Sequence, residues 1–257
     1  EATDTQNTRR PRFGEAVTRG PQLASLGKVS QRVMPEGTRP PEEAANGVRS
    51  QGAAVLGAED NLPPQQVVSG GLSGRGRQPA AVYTADCLPV LIASPQTRQV
   101  AAVHAGLKGT LAGILQQAVR RLCDKGASSS SLYIAIGPAI GPCCYQLGRP
   151  VLTEIEQCCG FSGPCYDYPG DNPRAVRPCA PQSYPAVWLD LPALASQILA
   201  CEGVPPEQID NLHCCTYCMA EDGASFRRNT HTGEGYQLRF SWIANNTAPQ
   251  AAETQGQ

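Results

Sequence analysis

The sequence predicts a mixed α/β (α+β) protein. Residues 83–119 read as strand, turn, strand, loop and helix. Further apolar runs alternate with helical patterns toward the C-terminus, as at Ser131–Ile136, Trp188–Ala200 and Tyr236–Ile243. Neither a phosphate-loop nor a dinucleotide-binding glycine spacing marks the chain as a nucleotide fold.

Each element of the 83–119 stretch has a local reason. Tyr83–Ala93 is apolar, broken only by Asp86, Cys87 and Pro89, and reads as a strand. Gln99–His104 is a second short run rich in Ala and Val. Gly106 and Gly109 make the following loop, and Thr110 is the expected N-cap of a helix whose apolar face carries Leu111, Ile114, Leu115 and Val119. Gly126 and a serine run end that helix, and Gly137–Gly141 turns the chain after the next strand. Val151–Gln157 reads as a short helix. Cys158–Tyr184, rich in Gly, Pro and Cys, reads as a loop or insert. Leu189, Leu191, Leu194 and Ile198 give a helix with a core face. Before residue 83 the pattern is weaker. Glu42–Leu56 looks helical, and the basic glycine stretch Gly70–Arg77 reads as a flexible loop, with phosphate cradling by Arg75 or Arg77 as the sharper alternative.

Bulk properties exclude several classes. With 21 basic and 22 acidic residues in 257, no general nucleic-acid or acidic-membrane surface is expected. No apolar run is long enough to span a bilayer, and the opening EATDTQNTRRPRF has no apolar core of a secretory signal. Twelve cysteines include the adjacent pairs Cys143–Cys144, Cys158–Cys159 and Cys214–Cys215, which suit reduced thiols in a cytoplasmic protein better than a disulfide framework.

Candidate chemistry gathers at two strand ends. Cys87 follows the acid Asp86, and His104 precedes a glycine. A thiolate and an imidazole there could hold zinc or copper, or form a nucleophile and its base; a buried Cys and a satisfied His is the plainer alternative. Asp86 could orient His104, bind substrate, or satisfy backbone donors as a buried turn acid. Arg227 and Arg228 could bind phosphate or a ribose, or form ion pairs. Cys215 and Cys218 form a C-x-x-C, but zinc needs two more ligands and no second C-x-x-C exists, so a redox pair is the alternative there. Cys143, Cys144 and Tyr145 follow the glycine-proline turn, where they line a pocket or pack the turn.

Three ordered motifs resemble one family. ADCLPVL followed by VHAG, two residues and GT is the first. IGPAIGPCCYQLG at Ile136–Gly148 is the second, and Cys215-Thr216 with SFRR and Thr232-Gly233 is the third. Together they resemble the polyphenol-oxidase (laccase-domain) family of purine nucleoside phosphorylase type, over roughly Phe13–Ile243. The resemblance implies a layered sandwich of mixed β-sheet and helices in a single catalytic domain, residues 13–243; the polar composition of 1–12 and 244–257 marks them as disordered tails. It implies phosphorolysis of adenosine, inosine and methylthioadenosine, with adenosine deaminase activity as well. It implies zinc, alternatively copper, on Cys87 and His104, with Asp86 in the catalytic group and Lys108, Arg227 and Arg228 toward a small-molecule substrate and phosphate. Two other readings belong beside it: a copper-dependent polyphenol oxidase, and a degenerate ligand-binding member without turnover. The sequence departs from the family at two places. Its Gln-x-His-Gly element has no counterpart histidine near Gln66, since the whole chain has only His104, His213 and His231. Leu107 and Lys108 also stand where Trp and Arg are usual.

Overall fold

The structure is a computed structural model and describes residues 27–34, 55–57, 70–73, 80–167 and 186–245. Its central feature is a six-stranded mixed sheet. β2 (Val55–Gly57), β3 (Gly70–Ser73), β5 (Leu88–Ser94), β6 (Gln99–Ala105), β7 (Tyr133–Ile136) and β11 (Ile209–Asn211) lie in the order β11-β7-β5-β6-β3-β2. The inner pairs β7–β5, β5–β6 and β6–β3 are antiparallel, and the outer pairs β11–β7 and β3–β2 are parallel.

Strand β5 is buried along its whole length, as a strand covered on both faces must be. Its side chains alternate between two layers. Leu88, Val90 and Ile92, with Ala101, Val103 and Ala105 of β6, pack on helices. Those helices are α2 (Ile114–Asp124) and α4 (Leu191–Cys201). α2 presents Ile114, Leu115, Ala118, Val119 and Leu122, and α4 presents Leu191, Leu194, Ala195, Ile198 and Leu199, each as one apolar face. The opposite face of the sheet, with Leu91, Ala93, Val100 and Ala102, meets Ala80, Val82 and Ile243 of a second sheet. That sheet is antiparallel and runs β1 (Gly27–Met34), β12 (Leu238–Asn245), β4 (Ala80–Thr84). Helices, central sheet and second sheet therefore form the layered sandwich. A third small sheet, β8 (Gln146–Gly148), β10 (Ala186–Leu189) and β9 (Cys165–Tyr166), sits beside α3 (Pro150–Cys159).

The expected elements mostly form, with informative differences. Tyr83–Ala93 is two strands, not one: β4 and β5 belong to different sheets, and residues 85–87 bend between them. Thr110 is inside a short helix, α1 (Leu107–Leu111), whose N-cap is Gly106; Gly113, at φ 84°, then separates α1 from α2. The glycines thus place the helix start earlier than the threonine suggested. Gly70–Ser73 pairs with Val100–Val103 as strand β3, so this part of the expected loop is sheet; the rest of Gly70–Arg77 lies outside the described residues. Within Glu42–Leu56 only Val55 and Leu56 are described, and they are strand β2. Cys165–Tyr166 of the expected insert is strand β9, and β12 continues through Asn245, two residues past the expected domain edge. The element at Gln66, the expected N-terminal tail and residues 246–257 lie outside the described residues.

Asp190 shows how a single side chain sets an element boundary. Its Oδ1 accepts from the Ala193 N–H at 2.9 Å, and Pro192 occupies the first turn, so α4 begins there.

Ile92 pairs with Ala101 on one side and Ile134 on the other, and is fully buried. Ile92→Ala is expected to lower stability by about 2–5 kcal/mol through lost burial and the cavity it leaves. The urea midpoint of the full chain measures this; an unchanged midpoint would contradict the central place of β5.

Candidate functional site

The site is built on the bend between β4 and β5. Asp86 sits there at φ 82°, a left-handed conformation unusual for a residue with a Cβ. The surroundings hold it in place. Its Oδ1 accepts from the Thr216 hydroxyl at 2.6 Å, and its Oδ2 accepts from the Arg227 backbone N–H at 2.6 Å. Its own carbonyl accepts from the Ile140 N–H at 2.9 Å. The side chain is only 8 % exposed as a residue. Burial pushes the Asp86 pKa up, while the hydrogen bonds from Thr216, Arg227 and Ser225 and the Arg227 charge pull against that rise.

Cys87 and His104 meet through the β5–β6 register. Leu88 pairs with Ala105 and Pro89 with His104, so Cys87 comes opposite Gly106. The alternation of an antiparallel pair then puts Cys87 and His104 on the same face as diagonal neighbours. Contact with Gly106 is close: a Cβ there would lie 2.7 Å from Cys87 Sγ. Only a glycine leaves room for the thiol in this position. Burial, then the Asp86 charge, pushes the Cys87 thiol up to about 11. Burial pulls His104 down, so its imidazole is neutral with a free lone pair. A thiol that keeps its proton at neutral pH must lose it before binding a metal. Among the described residues, no third ligand atom groups with these two.

Arg227 joins this corner and Arg228 does not. Both stand on α5 (Phe226–Thr232), a short helix capped by the Ser225 hydroxyl, which accepts from the Arg228 N–H at 3.0 Å. The Arg227 guanidinium donates to the Gln146 carbonyl at 2.8 Å and lies 5.4 Å from the Tyr145 ring centroid. Tyr145 is pushed up to about 12, first by burial and next by Cys87, with Arg227 opposing. Tyr145 therefore feels Cys87, Arg227 and Asp86 together. Arg228 turns toward the Tyr217 ring and carbonyl and toward Glu234, 3.9 Å away. This is the ion-pair reading for Arg228. Lys108 is exposed in α1, one residue beyond the Leu107 that starts the helix.

Neither of the other histidines groups with Cys87 and His104 as a ligand set; burial and then the Arg227 charge lower His231, and Asp86 opposes them. His213 is exposed at φ 49°, and its charge acts on Asp190. His231 exchanges a 2.9 Å hydrogen bond with the Tyr217 hydroxyl.

Beside the corner is a group that the C-x-x-C spacing only half disclosed. The sulfurs of Cys143, Cys144, Cys215 and Cys218 all lie within 4.8 Å of one another. The two ligands missing from Cys215 and Cys218 come from the adjacent pair Cys143–Cys144, 71 or more residues earlier in the chain. The signal in the sequence was two cysteine pairs; the fold had to bring them together. The link is the isolated bridge Ala139↔Cys215, with Ala139 N–H donating to Cys214 and Thr216 N–H to Ala139. The cysteines share hydrogen bonds. Those from Cys143 foremost push Cys144 and Cys218 up; Cys143 also raises Cys215, but Cys144, Cys218 and the Gly141 N–H outweigh it and hold Cys215 below the ordinary thiol value.

Comparison with known proteins agrees with this architecture. Residues 47–244 match the family described as multi-copper polyphenol oxidoreductase laccase. The purine nucleoside phosphorylase YfiH of Shigella flexneri is 35 % identical over 163 residues, which are 63 % of this chain and 58 % of that protein. The chain thus spans less than two thirds of that relative's length. Adenosine deaminase RL5, from an unknown prokaryotic organism, is 29 % identical over 147 residues, 57 % of this chain and 52 % of that one. The crystal structure of YlmD from Geobacillus stearothermophilus superposes with a TM-score of 0.57 at 26 % identity, covering 76 % of this chain and 71 % of that one. With most of its length matched and the layered fold shared, the chain belongs to the multi-copper polyphenol oxidoreductase laccase family.

Proposed function

We propose that the Asp86–Cys87–His104 corner carries out purine nucleoside phosphorolysis on adenosine, inosine and methylthioadenosine, with zinc held by Cys87 and His104. The observation that carries this reading is the convergence on one corner of a thiol, a neutral imidazole, Tyr145 and the Arg227 guanidinium. The names of the similar proteins point to the same reaction class.

The donor set suits zinc. A thiol against Gly106 and a neutral imidazole on one face supply sulfur and nitrogen, two of the three protein ligands that a catalytic zinc ordinarily uses. Zinc held there would supply Lewis-acid polarisation of a substrate oxygen. The chain's own residues do the rest. Asp86 holds the backbone of Arg227, and Gln146 and Tyr145 fix the direction of its guanidinium. The remaining N–H donors of Arg227 take phosphate, and the exposed Lys108 adds a second positive charge at the start of α1. Phosphate oxygen bonds to the ribose C1′ as the glycosidic bond breaks and its electrons leave with the purine. The fixed guanidinium keeps the dianion in line while positive charge grows on the ribose. Tyr145 stays protonated at neutral pH and offers an O–H donor to substrate.

Deamination of adenosine at the same corner is the second reading, supported by the similar protein named adenosine deaminase RL5. Copper-dependent phenol oxidation is less well supported, because multinuclear copper centres need many imidazoles and the whole chain has three histidines.

Phosphate-dependent base release from inosine by the zinc-loaded full chain is the direct test, and Cys87→Ala is expected to abolish it. Arg227→Ala should lower kcat/KM for phosphate by about 10²–10³-fold, with Arg227→Lys recovering little because it lacks the planar fork. Arg228→Ala should change it only a few-fold. No release from intact, folded protein would overturn phosphorolysis.

Gly106→Ala places a methyl against Cys87 Sγ. A loss of about 1–3 kcal/mol of stability is expected, along with weaker zinc binding. Urea unfolding and zinc titration measure the two, and unchanged values in both would show that the thiol does not need this cradle.

A further inference from the structure

We infer that Cys143, Cys144, Cys215 and Cys218 form a second metal site, a closed zinc tetrathiolate that braces the catalytic corner. Three observations carry it. First, the sulfurs have the right spacing for one ion. The sulfurs are 3.6 Å apart for Cys143–Cys218, 3.6 Å for Cys143–Cys144 and 3.4 Å for Cys144–Cys218, and all four lie within 4.8 Å of one another. Four sulfurs at the usual zinc–sulfur distance of about 2.3 Å form a tetrahedron with edges of about 3.8 Å. A single disulfide would use two of these atoms; here four converge on one point.

Second, the backbone is shaped around the sulfurs. The Gly141 N–H donates to Cys215 Sγ at 3.2 Å. A Cβ on Gly141 would lie 3.2 Å from Cys215 Cβ and 3.6 Å from both Cys143 Sγ and Cys215 Sγ. An N–H directed at a ligating sulfur and a glycine that admits it are what a thiolate site needs from its surroundings. Third, the walls are largely apolar, with Cys144 buried and the other three cysteines partly buried. Ile140 and Tyr217 are each 1 % exposed and pack with the four cysteines. Such a shell, holding four protein ligands and no open position, suits a structural ion rather than a catalytic one.

The position gives the site its purpose. Cys144 is followed by Tyr145, over which Arg227 lies, and Cys215 is followed by Thr216, which donates to Asp86. An ion tying Cys144 to Cys215 therefore fixes both residues that shape the corner. Binding is a proton exchange. Zn²⁺ takes four thiolates, any thiol protons pass to solvent, and the product carries a net charge of −2. No oxidant or reductant takes part. The inference stands independently of whether the Cys87–His104 corner turns over a nucleoside.

The test uses the full chain purified under reducing conditions with zinc, then exchanged with cobalt(II). We expect one ion that survives a weak chelator, and a cobalt spectrum with tetrahedral bands and intense thiolate-to-metal charge transfer. Cys87→Ala should leave that charge transfer in place. Cys144→Ser and Cys218→Ser should each reduce it by about a quarter per thiolate lost, with circular dichroism reporting whether each variant folds. Where a serine variant does not fold, the spectrum of the parent protein decides alone. A cobalt spectrum without thiolate charge transfer, or charge transfer lost in Cys87→Ala and kept in both folded serine variants, would overturn the site. So would a disulfide among these four cysteines in the mass spectrum of reduced, zinc-supplied protein.

Discussion

The carboxylate of Asp86 is the contact on which the corner depends. It joins three stretches of chain, since Thr216 and Arg227 are 130 and 141 residues away in sequence. A buried carboxylate is unfavourable unless its oxygens are satisfied, and here each oxygen takes a 2.6 Å hydrogen bond. The left-handed backbone at φ 82° adds a cost of about 1–3 kcal/mol in such positions. Neither feature would persist unless the Thr216 loop and α5 were docked. The bend, the loop and the helix therefore hold or fail together, and Arg227 is placed because its own N–H makes one of these two hydrogen bonds.

The sandwich explains why the chemistry lies where it does. β5 and β6 are the middle of the six-stranded sheet and are packed on both faces, by helices on one side and the β1-β12-β4 sheet on the other. Packed strands cannot carry open polar sites along their length. Their ends can, because the loops leave the layers there and are held by a rigid scaffold. Cys87 precedes β5 and His104 is next to the last residue of β6, so adjacent strand ends deliver both. Gly106 completes the arrangement by giving the thiol room.

Local pattern made the middle of this fold legible. β5, β6, α2 and α4 each bury a regular set of apolar positions, and periodicity over ten residues or so is enough to see that. The corner's principal candidates, Asp86, Cys87 and His104, could be singled out because strand ends with chemical side chains are visible in a sequence. What could not be read was anything set by distant partners. Tyr83–Ala93 looks continuous, and only the partition of β4 and β5 between two sheets breaks it. The seven-residue helix α5 has no long apolar face; its Ser225 cap and the Asp86 tie place it. Arg227 and Arg228 are neighbours in sequence but diverge because a helix turns successive side chains about 100° apart. The four-cysteine group needed two cysteine pairs separated by 71 residues between Cys144 and Cys215 to be brought together, which no spacing rule within one loop can foresee.

The electrostatics of the corner assign different work to neighbouring residues. Asp86 and Cys87 are adjacent, yet their charges compete: burial raises the thiol first, and the carboxylate raises it further, to about 11. Thiol oxidation proceeds through the thiolate, so the corner is poorly disposed to stray oxidation. A divalent cation acts differently, because it displaces the proton and offsets the repulsion from Asp86 at the same time. The Arg227 charge opposes the rise that burial imposes on Asp86, while its guanidinium is directed toward Gln146 and Tyr145. One side of the corner carries a thiol and an imidazole and the other a guanidinium, and the proposed phosphate-using reaction rests on that polarity.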